Sequence, residues 1–405
     1  MGRIVFVNRY GPPDHAATSQ LTGELAFALA AGGQAVEIVT GRQLYDDPAA
    51  RLPARETIGG VLIRRVAGTR FGRGSLPGRA MDYASFYVAA FAALLCHLRA
   101  GDTVVAETDP PLVSVVAALA VRLRGARLVN WLQDVFPEVA AALGYRAGSG
   151  AVGAALRALR NRSLRRAAVN VALGERMAAR LRAEAGAGAA VTVIPNWADG
   201  AAIAPVPRAA NPLRAAWGLG ERFVVGYAGN LGRAHDTATV LAAARLLADD
   251  PSIAFLFVGG GARRAALEQA ARDERLPILF QPYQPRAALA ASLSAPDVHL
   301  VSLHPALEGL IVPSKAVAAM AAGRPLLVVG DPAGEVAALA ARHHCGLAVP
   351  WGDGAALAAA VRRLAADRAS ADSMGAAARA AFLAHYDRPH ALAAWRAVLR
   401  LTAAP

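Results

Sequence analysis

The sequence predicts an α/β protein built from two doubly wound domains facing a cleft. Three observations carry this. The chain has 405 residues, 55% of them hydrophobic, which suits two cores in domains of roughly 200 residues each. Short, near-continuous apolar runs alternate with longer Ala/Leu/Arg stretches of helical character, as in a parallel sheet covered on both faces. The same alternation then restarts after a proline-rich stretch in the middle of the chain.

Taken in order, Ile4-Val5-Phe6-Val7 reads as a buried strand directly after Met1-Gly2-Arg3, and not as a secretion signal. Further strands are predicted at 35–40, 61–66, 103–107, 127–132, 169–173 and 191–194, with helices at 20–31, 111–124 and 174–185. The stretch 84–98 is the nearest thing to a spanning segment, but His97 and Arg99 close it short of the roughly 18 residues needed. It is expected as a buried helix. Pro195-Asn196-Trp197, Ala204-Pro205-Val206-Pro207 and Asn211-Pro212 read as a connector. The second half is predicted to hold strands at 222–228, 254–258, 278–280, 298–302, 325–329 and 346–349, and helices at 237–247 and 263–272. An amphipathic helix at 385–401 closes the chain. The expected division is 1–198, a linker 199–215, a second domain 216–383, and a terminal helix 384–405 crossing back to the first domain. Ligands of such sheets bind beyond the carboxyl ends of the strands.

The net charge of +13 points to an anionic partner. Zinc-finger spacing, heptads and aromatic-interleaved basic tracts are absent, which argues against nucleic acid. Cys96 and Cys345 are too few for a disulfide framework and fit a reducing cytosol. Arg157, Arg160, Arg162, Arg165 and Arg166 place five cations in ten residues without an acid. They read either as a solvated face or as a dock for anionic lipid, where each cation adds about 1 kcal/mol.

Lys315 is the only lysine against forty-two arginines. Lysine is a compact point charge and arginine a broad planar fork, so a tight phosphate site can require the first. Lys315 follows Glu308-Gly309-Leu310-Ile311-Val312-Pro313-Ser314, a loop that leaves the strand at 298–302 and opens a helix at Ser314-Lys315. In such a loop a carboxylate can accept bonds from sugar hydroxyls, amides after Gly309 can meet phosphate, and Lys315 can neutralise a diphosphate. Gly229-Asn230-Leu231-Gly232-Arg233 is a glycine-spaced loop after a strand, where Arg233 could clamp a phosphate. Gly259-Gly260-Gly261 follows the next strand and opens a helix, a turn that suits an anion or is simply structural. Asp134 reads equally as a cleft residue or a helix N-cap.

These stretches, together with Tyr10-Gly11-Pro12-Pro13-Asp14, Leu132-Gln133-Asp134-Val135-Phe136-Pro137-Glu138, Ile194-Pro195-Asn196-Trp197 and Ala321-Ala322-Gly323-Arg324-Pro325, fall in order over nearly the whole chain. As an ordered set they resemble the family-4 retaining glycosyltransferases of the GT-B fold, nearest to bacterial exopolysaccharide and O-antigen enzymes such as fucosyl- and N-acetylfucosaminyltransferases. The resemblance implies that the second domain holds a nucleotide sugar and the first an acceptor. It places Glu308 on the donor sugar, the amides of Leu310 and Ile311 on the phosphates, and Gly259, Gly260 and Tyr283 near base and ribose. It puts Gly229, Asn230, Gly309 and Ser314 in the donor site, and His15 and Gln133 with Asp134 on the acceptor or sugar. No metal or other cofactor is expected, and the location implied is the cytoplasm, on the inner face of the plasma membrane if the arginine cluster docks there.

Departures from the family pattern leave alternatives open. A second glutamate common in the family falls on Ala318, the usual arginine and lysine after the first strand of the second domain fall on Asn230 and about His235, and a frequent histidine falls on Gln133. Lys315 and Arg233 would then carry the diphosphate charge. A GT-B sugar-nucleotide 2-epimerase shares the architecture but needs cleft acids and histidines that cannot be placed. A catalytically degenerate partner subunit fits the departures. A nicotinamide dehydrogenase lacks its G-x-G-x-x-G turn after the first strand.

Overall fold

Ile4-Val5-Phe6-Val7 is buried along its whole length because it lies inside a sheet with helices on both faces, as a continuous apolar run requires. In the computed structural model the described residues are 2–14, 16–47, 49–72, 75–186 and 188–401. They fall into two units, one comprising Met1–Pro195, Gly309–Ile311 and Leu392–Pro405, the other Asn196–Glu308 and Val312–Ala391.

The first unit runs β1 (Ile4–Val7), α1 (Ala17–Ala31), β2 (Val36–Gly41), β3 (Arg55–Ile58), β4 (Val61–Val66), α2 (Leu76–His97), β5 (Thr103–Ala106), α3 (Val113–Arg124), β6 (Arg127–Trp131), α4 (Glu138–Ala142), α5 (Gly150–Arg166), β7 (Val169–Ala172), α6 (Glu175–Ala185) and β8 (Val191–Val193). Its sheet has the order β3-β4-β2-β1-β5-β6-β7-β8, parallel except for the β3–β4 hairpin at the edge. Val5, Val7, Val39, Phe86, Leu94, Val104 and Val121 form its core.

Three expectations need correction here. The helix at 84–98 starts earlier, as α2, and is not buried all round. Gly78, Asp82, Phe86, Ala90 and Leu94 recur every four residues and face the core, while Val88 on the other side is 72% exposed. By length and composition alone α2 could cross a membrane; its Phe86, Ala90 and Leu94 are spent on the sheet instead. Second, Arg160 does not belong to a surface arginine cluster. It is 3% exposed and is held by Glu138 Oε1 at 3.0 Å and by Glu184. Its acids come from α4 and α6, which no local spacing on α5 could reveal. Third, residues 199–215 are not a free connector but part of the second unit. Arg208 and Arg214 both bond Asp297 there, and Arg214 also donates to the Ala295 carbonyl at 2.6 Å.

The second unit runs α7 (Pro212–Ala216), β9 (Phe223–Ala228), α8 (Ala238–Leu246), β10 (Ile253–Val258), α9 (Arg264–Asp273), β11 (Ile278–Gln281), α10 (Leu289–Ser294), β12 (Val298–Ser302), α11 (Lys315–Ala321), β13 (Leu326–Gly330), α12 (Glu335–Arg342), β14 (Gly346–Pro350), α13 (Gly354–Ala366), α14 (Arg368–His385) and α15 (Arg388–Leu399). Its six strands are all parallel, in the order β11-β10-β9-β12-β13-β14. Phe223, Tyr227, Phe255, Phe257, Leu300 and Leu327 fill its core. Residues from Leu392 onward group with the first unit, where the Trp395 ring meets Trp131 edge-on at 4.8 Å.

Candidate active site

In the second unit Gly229, Asn230, Gly259, Gly260 and Tyr283 lie on the loops that follow the carboxyl ends of β9, β10 and β11, and Glu308, Ser314 and Lys315 on the segment that follows β12. The loop after β9 and the loop after β10 pack backbone on backbone, with Leu231 N donating to Gly260 O at 2.7 Å. Gly259 makes this possible: its φ is +127°, and a side chain there would strike the Gly229 carbonyl. Gly259→Ala is expected to cost about 2–4 kcal/mol in strain and clash, read as a fall in the urea midpoint with unchanged slope. Tyr283, after β11, lies over Gly260 and is 57% exposed.

Lys315 begins α11 and turns its ammonium inward. Nζ lies 3.1 Å from His235 Nε2 and 5.1 Å from the centroid of the Tyr227 ring. His235 Nδ1 is 2.7 Å from the Ser302 carbonyl. A carbonyl only accepts, so Nδ1 carries the proton and Nε2 is left to accept from Lys315. The electrostatics agree. Burial first, then the Lys315 charge, lowers His235 to about 4, and burial lowers Lys315 to about 8. The pair is therefore a neutral imidazole supporting a single ammonium at neutral pH. Composition exposes Lys315; His235 and Tyr227, which seat it, become visible only in the fold.

Glu308, at the end of the β12 loop, accepts a bond from Glu335 N at 3.1 Å, on the first residue of α12. Its carboxylate is thus fixed at a helix N-terminus. Asn230 accepts a bond from Tyr227 Oη on its carbonyl at 2.7 Å. Ser314 precedes α11 without capping it. Arg233 is exposed on the loop after β9, and its carbonyl accepts from Arg263 at 3.5 Å. Gly309, Leu310 and Ile311 group with the first unit: Ile311 bridges Asp134, and Val135 N donates to Leu310 O at 2.9 Å.

The first unit gathers polar groups at the ends of β1, β5 and β6. Asn8 Oδ1, Glu107 Oε2 and Gln133 Nε2 are buried without a partner among the described residues. Each unpaired atom is costly in a closed fold, so the cluster is suited to a polar ligand. Desolvation first, then Asp109, raises Asp134 to about 6. Its side chain is accessible, so water moderates that rise. His15 lies outside the described residues.

Glu107 was not foreseen. Burial, opposed by Thr22 and reinforced by Asp109, raises it to about 8. Thr22 Oγ1 contacts both the Thr18 carbonyl and Glu107 Oε1. One hydroxyl has one proton, so both contacts are satisfied together only when Glu107 is protonated. The folded state then holds an extra proton between the model value of 4.5 and about 8, and stability falls as pH rises through that window. Glu107→Gln is expected to raise the thermal midpoint more at pH 9 than at pH 4. An equal shift at both would mean that Glu107 titrates normally.

Residues 18–197 match the glycosyl transferase 4-like domain family and residues 222–367 the glycosyl transferases group 1 family. The chain is 30% identical over 266 residues to WbjE of Pseudomonas aeruginosa, described as a glycosyltransferase, covering 65% of this chain and 66% of that one. It is 28% identical to WcaI of Escherichia coli K12, described as a colanic acid biosynthesis glycosyl transferase, over 79% of this chain and 81% of that one. Among solved structures, sucrose-phosphate synthase of Thermosynechococcus elongatus superposes with a TM-score of 0.81 at 21% identity, over 99% of this chain and 98% of that one. Anabaena HepE in complex with UDP-glucose gives 0.72 at 17% identity, over 99% and 100%. Two Rossmann-like units with parallel sheets, matched by these two families in this order, make the chain a glycosyltransferase of the GT-B fold.

Proposed function

We propose that the protein is a retaining glycosyltransferase. It takes a sugar from a nucleotide diphosphate-sugar and moves it to a glycan or polyprenyl-linked acceptor in bacterial surface polysaccharide synthesis. The observation that carries this is Lys315: one desolvated ammonium, steadied by a neutral His235, beside two glycine loops at the ligand-binding edge of a parallel sheet. HepE, of the same fold, is described in complex with UDP-glucose. In this reading Lys315 stabilises the leaving diphosphate, Glu308 holds the sugar, and Asn230, Gly260 and Tyr283 border the nucleotide. Gln133 and Asp134 orient the acceptor or sugar. The β-phosphate itself deprotonates the attacking hydroxyl on the face it leaves, so catalysis is positioning plus charge stabilisation, with no protein nucleophile and no metal. Arg233, exposed on its loop, is assigned the outer phosphate charge. The anomeric proton coupling of the product decides the stereochemistry: retention is expected, and an inverted product would overturn the mechanism.

Membrane docking belongs to the same proposal. Leu76, Met81 and Val88 of α2, Leu119 and Leu123 of α3, and Leu159 of α5 are exposed on helices that pack in sequence, α2 on α3 and α3 on α5. Arg162, Arg165 and Arg166 are exposed beside them, and Arg166 feels the positive charge of Arg162 first and of Arg122 as well. Apolar area with crowded cations fits an anionic bilayer surface. Changing Arg162, Arg165 and Arg166 together to Gln is expected to weaken binding to phosphatidylglycerol vesicles by about 100-fold, at roughly 1 kcal/mol for each cation. Sedimentation indifferent to anionic lipid and to salt would remove this part of the account.

A further inference from the structure

A second polar recess lies in the first unit, away from β5 and β6, at the carboxyl ends of β1, β2 and β4. Arg9 follows β1, Arg42 and Gln43 follow β2, Thr69 and Arg70 follow β4, and Asp82 comes from α2. Its volume is about 60 Å³, several times the roughly 10–15 Å³ that one water needs and enough to admit a carboxylate or phosphate group.

The charges in it do not balance. Among the described residues Asp82 is the one acid lining the recess, and its acceptor sites are taken. Oδ1 accepts from Thr69 Oγ1 at 2.8 Å and Phe71 N at 3.0 Å; Oδ2 accepts from Arg9 Nη2 at 3.1 Å and Gly72 N at 3.1 Å. Two carboxylate oxygens offer about four lone-pair sites, and these four donors fill them. Arg9 is locked further by Gln43 Oε1 at 3.3 Å and by the rings of Tyr10 and Tyr83 at 5.3 and 5.2 Å. Asp82 thus answers one arginine of three. The side chains of Arg42 and Arg70 make no hydrogen bond or ion pair among the described residues, and Arg42 Nε is fully buried without an acceptor. The guanidinium groups of Arg42 and Arg70, both lining the recess, are thus left without a carboxylate among the described residues, and an oxyanion would balance them.

We propose that this recess binds a single oxyanion carried by the acceptor, a carboxylate on a sugar or a phosphate on its lipid carrier, with Arg42 and Arg70 as its ligands and Arg9 as the fixed cation behind them. This rests on the glycosyltransferase reading and narrows its acceptor to an acidic one. Arginine suits the role because its fork meets two oxygens at once.

The test uses Lys315→Met protein, in which the donor site lacks its buried cation. Calorimetric titrations compare methyl α-glucuronide, farnesyl phosphate and the neutral methyl α-glucoside. One of the two acidic probes is expected to bind at least tenfold more tightly than the glucoside, and which one names the source of the oxyanion. Arg42→Met is expected to abolish that advantage. Arg70→Gln, on an exposed residue that folding does not need, is expected to reduce it severalfold. Equal binding of all three probes, or an advantage untouched by both substitutions, overturns the proposal. Donor binding by the unsubstituted protein is measured alongside. If a nucleotide sugar binds there and no acidic probe does here, only the acidic acceptor fails. If an acidic probe binds here and no nucleotide sugar does, the oxyanion site stands and the transferase reading falls.

Discussion

Lys315→Met is expected to lower turnover of the nucleotide sugar by on the order of 10²–10³-fold while changing donor KM far less, because the lost charge acts mainly on the departing diphosphate. Methionine keeps the apolar stem against Tyr227, so the fold is expected to survive. Lys315→Arg is not expected to rescue. Nζ already reaches His235 at 3.1 Å, and a longer, planar guanidinium cannot place a single donor at that spot. The pH profile follows from the same burial. With Lys315 lowered to about 8, kcat/KM is expected to fall about tenfold per unit above pH 8. Folding stability moves the other way. The folded lysine has the lower pKa, so the unfolded chain binds more protons between about 8 and 10.5, and stability rises with pH across that interval. A profile flat to pH 10 in the wild type, or wild-type turnover by Lys315→Met, would remove the lysine from the mechanism.

Glu308→Gln is the second large effect. The amide oxygen can still accept from Glu335 N, now at 3.1 Å from the carboxylate, so the helix N-terminus stays satisfied. What is lost is the charge available to sugar hydroxyls, for which a loss of about 10–100-fold in kcat/KM is expected. Binding of the free nucleoside diphosphate, which lacks the sugar, is expected to be unchanged. Equal weakening of nucleotide and nucleotide sugar would make Glu308 a structural cap and nothing more.

The parallel strands were legible because burial on both faces leaves unbroken apolar runs, and β1, β4 and β12 begin and end where the runs do. Strand β3 was not, since Arg55-Glu56-Thr57-Ile58 is an edge strand with only alternate residues half buried. The Gly59-Gly60 pair, both at positive φ, was the signal that could have found it. The face α2 turns outward is as apolar as the one it buries, so composition alone did not distinguish them. At the site, a lone lysine is conspicuous in any sequence. His235 as its support, Glu107 as a protonated acid and Arg160 as a buried ion are products of packing between elements far apart in the chain, and no spacing rule reaches them.

The most direct test of the account is thermal stabilisation by UDP-, GDP-, dTDP- and ADP-sugars, each at one fixed concentration, with Lys315→Met in parallel. A ligand that binds only the folded state raises the midpoint. Sugars of one nucleotide family are expected to raise it by several degrees, and Lys315→Met, which loses mainly turnover, is expected to shrink the shift only slightly. If none of the four moves the wild-type midpoint, the second unit does not hold a nucleotide sugar on its own, and the central claim is contradicted.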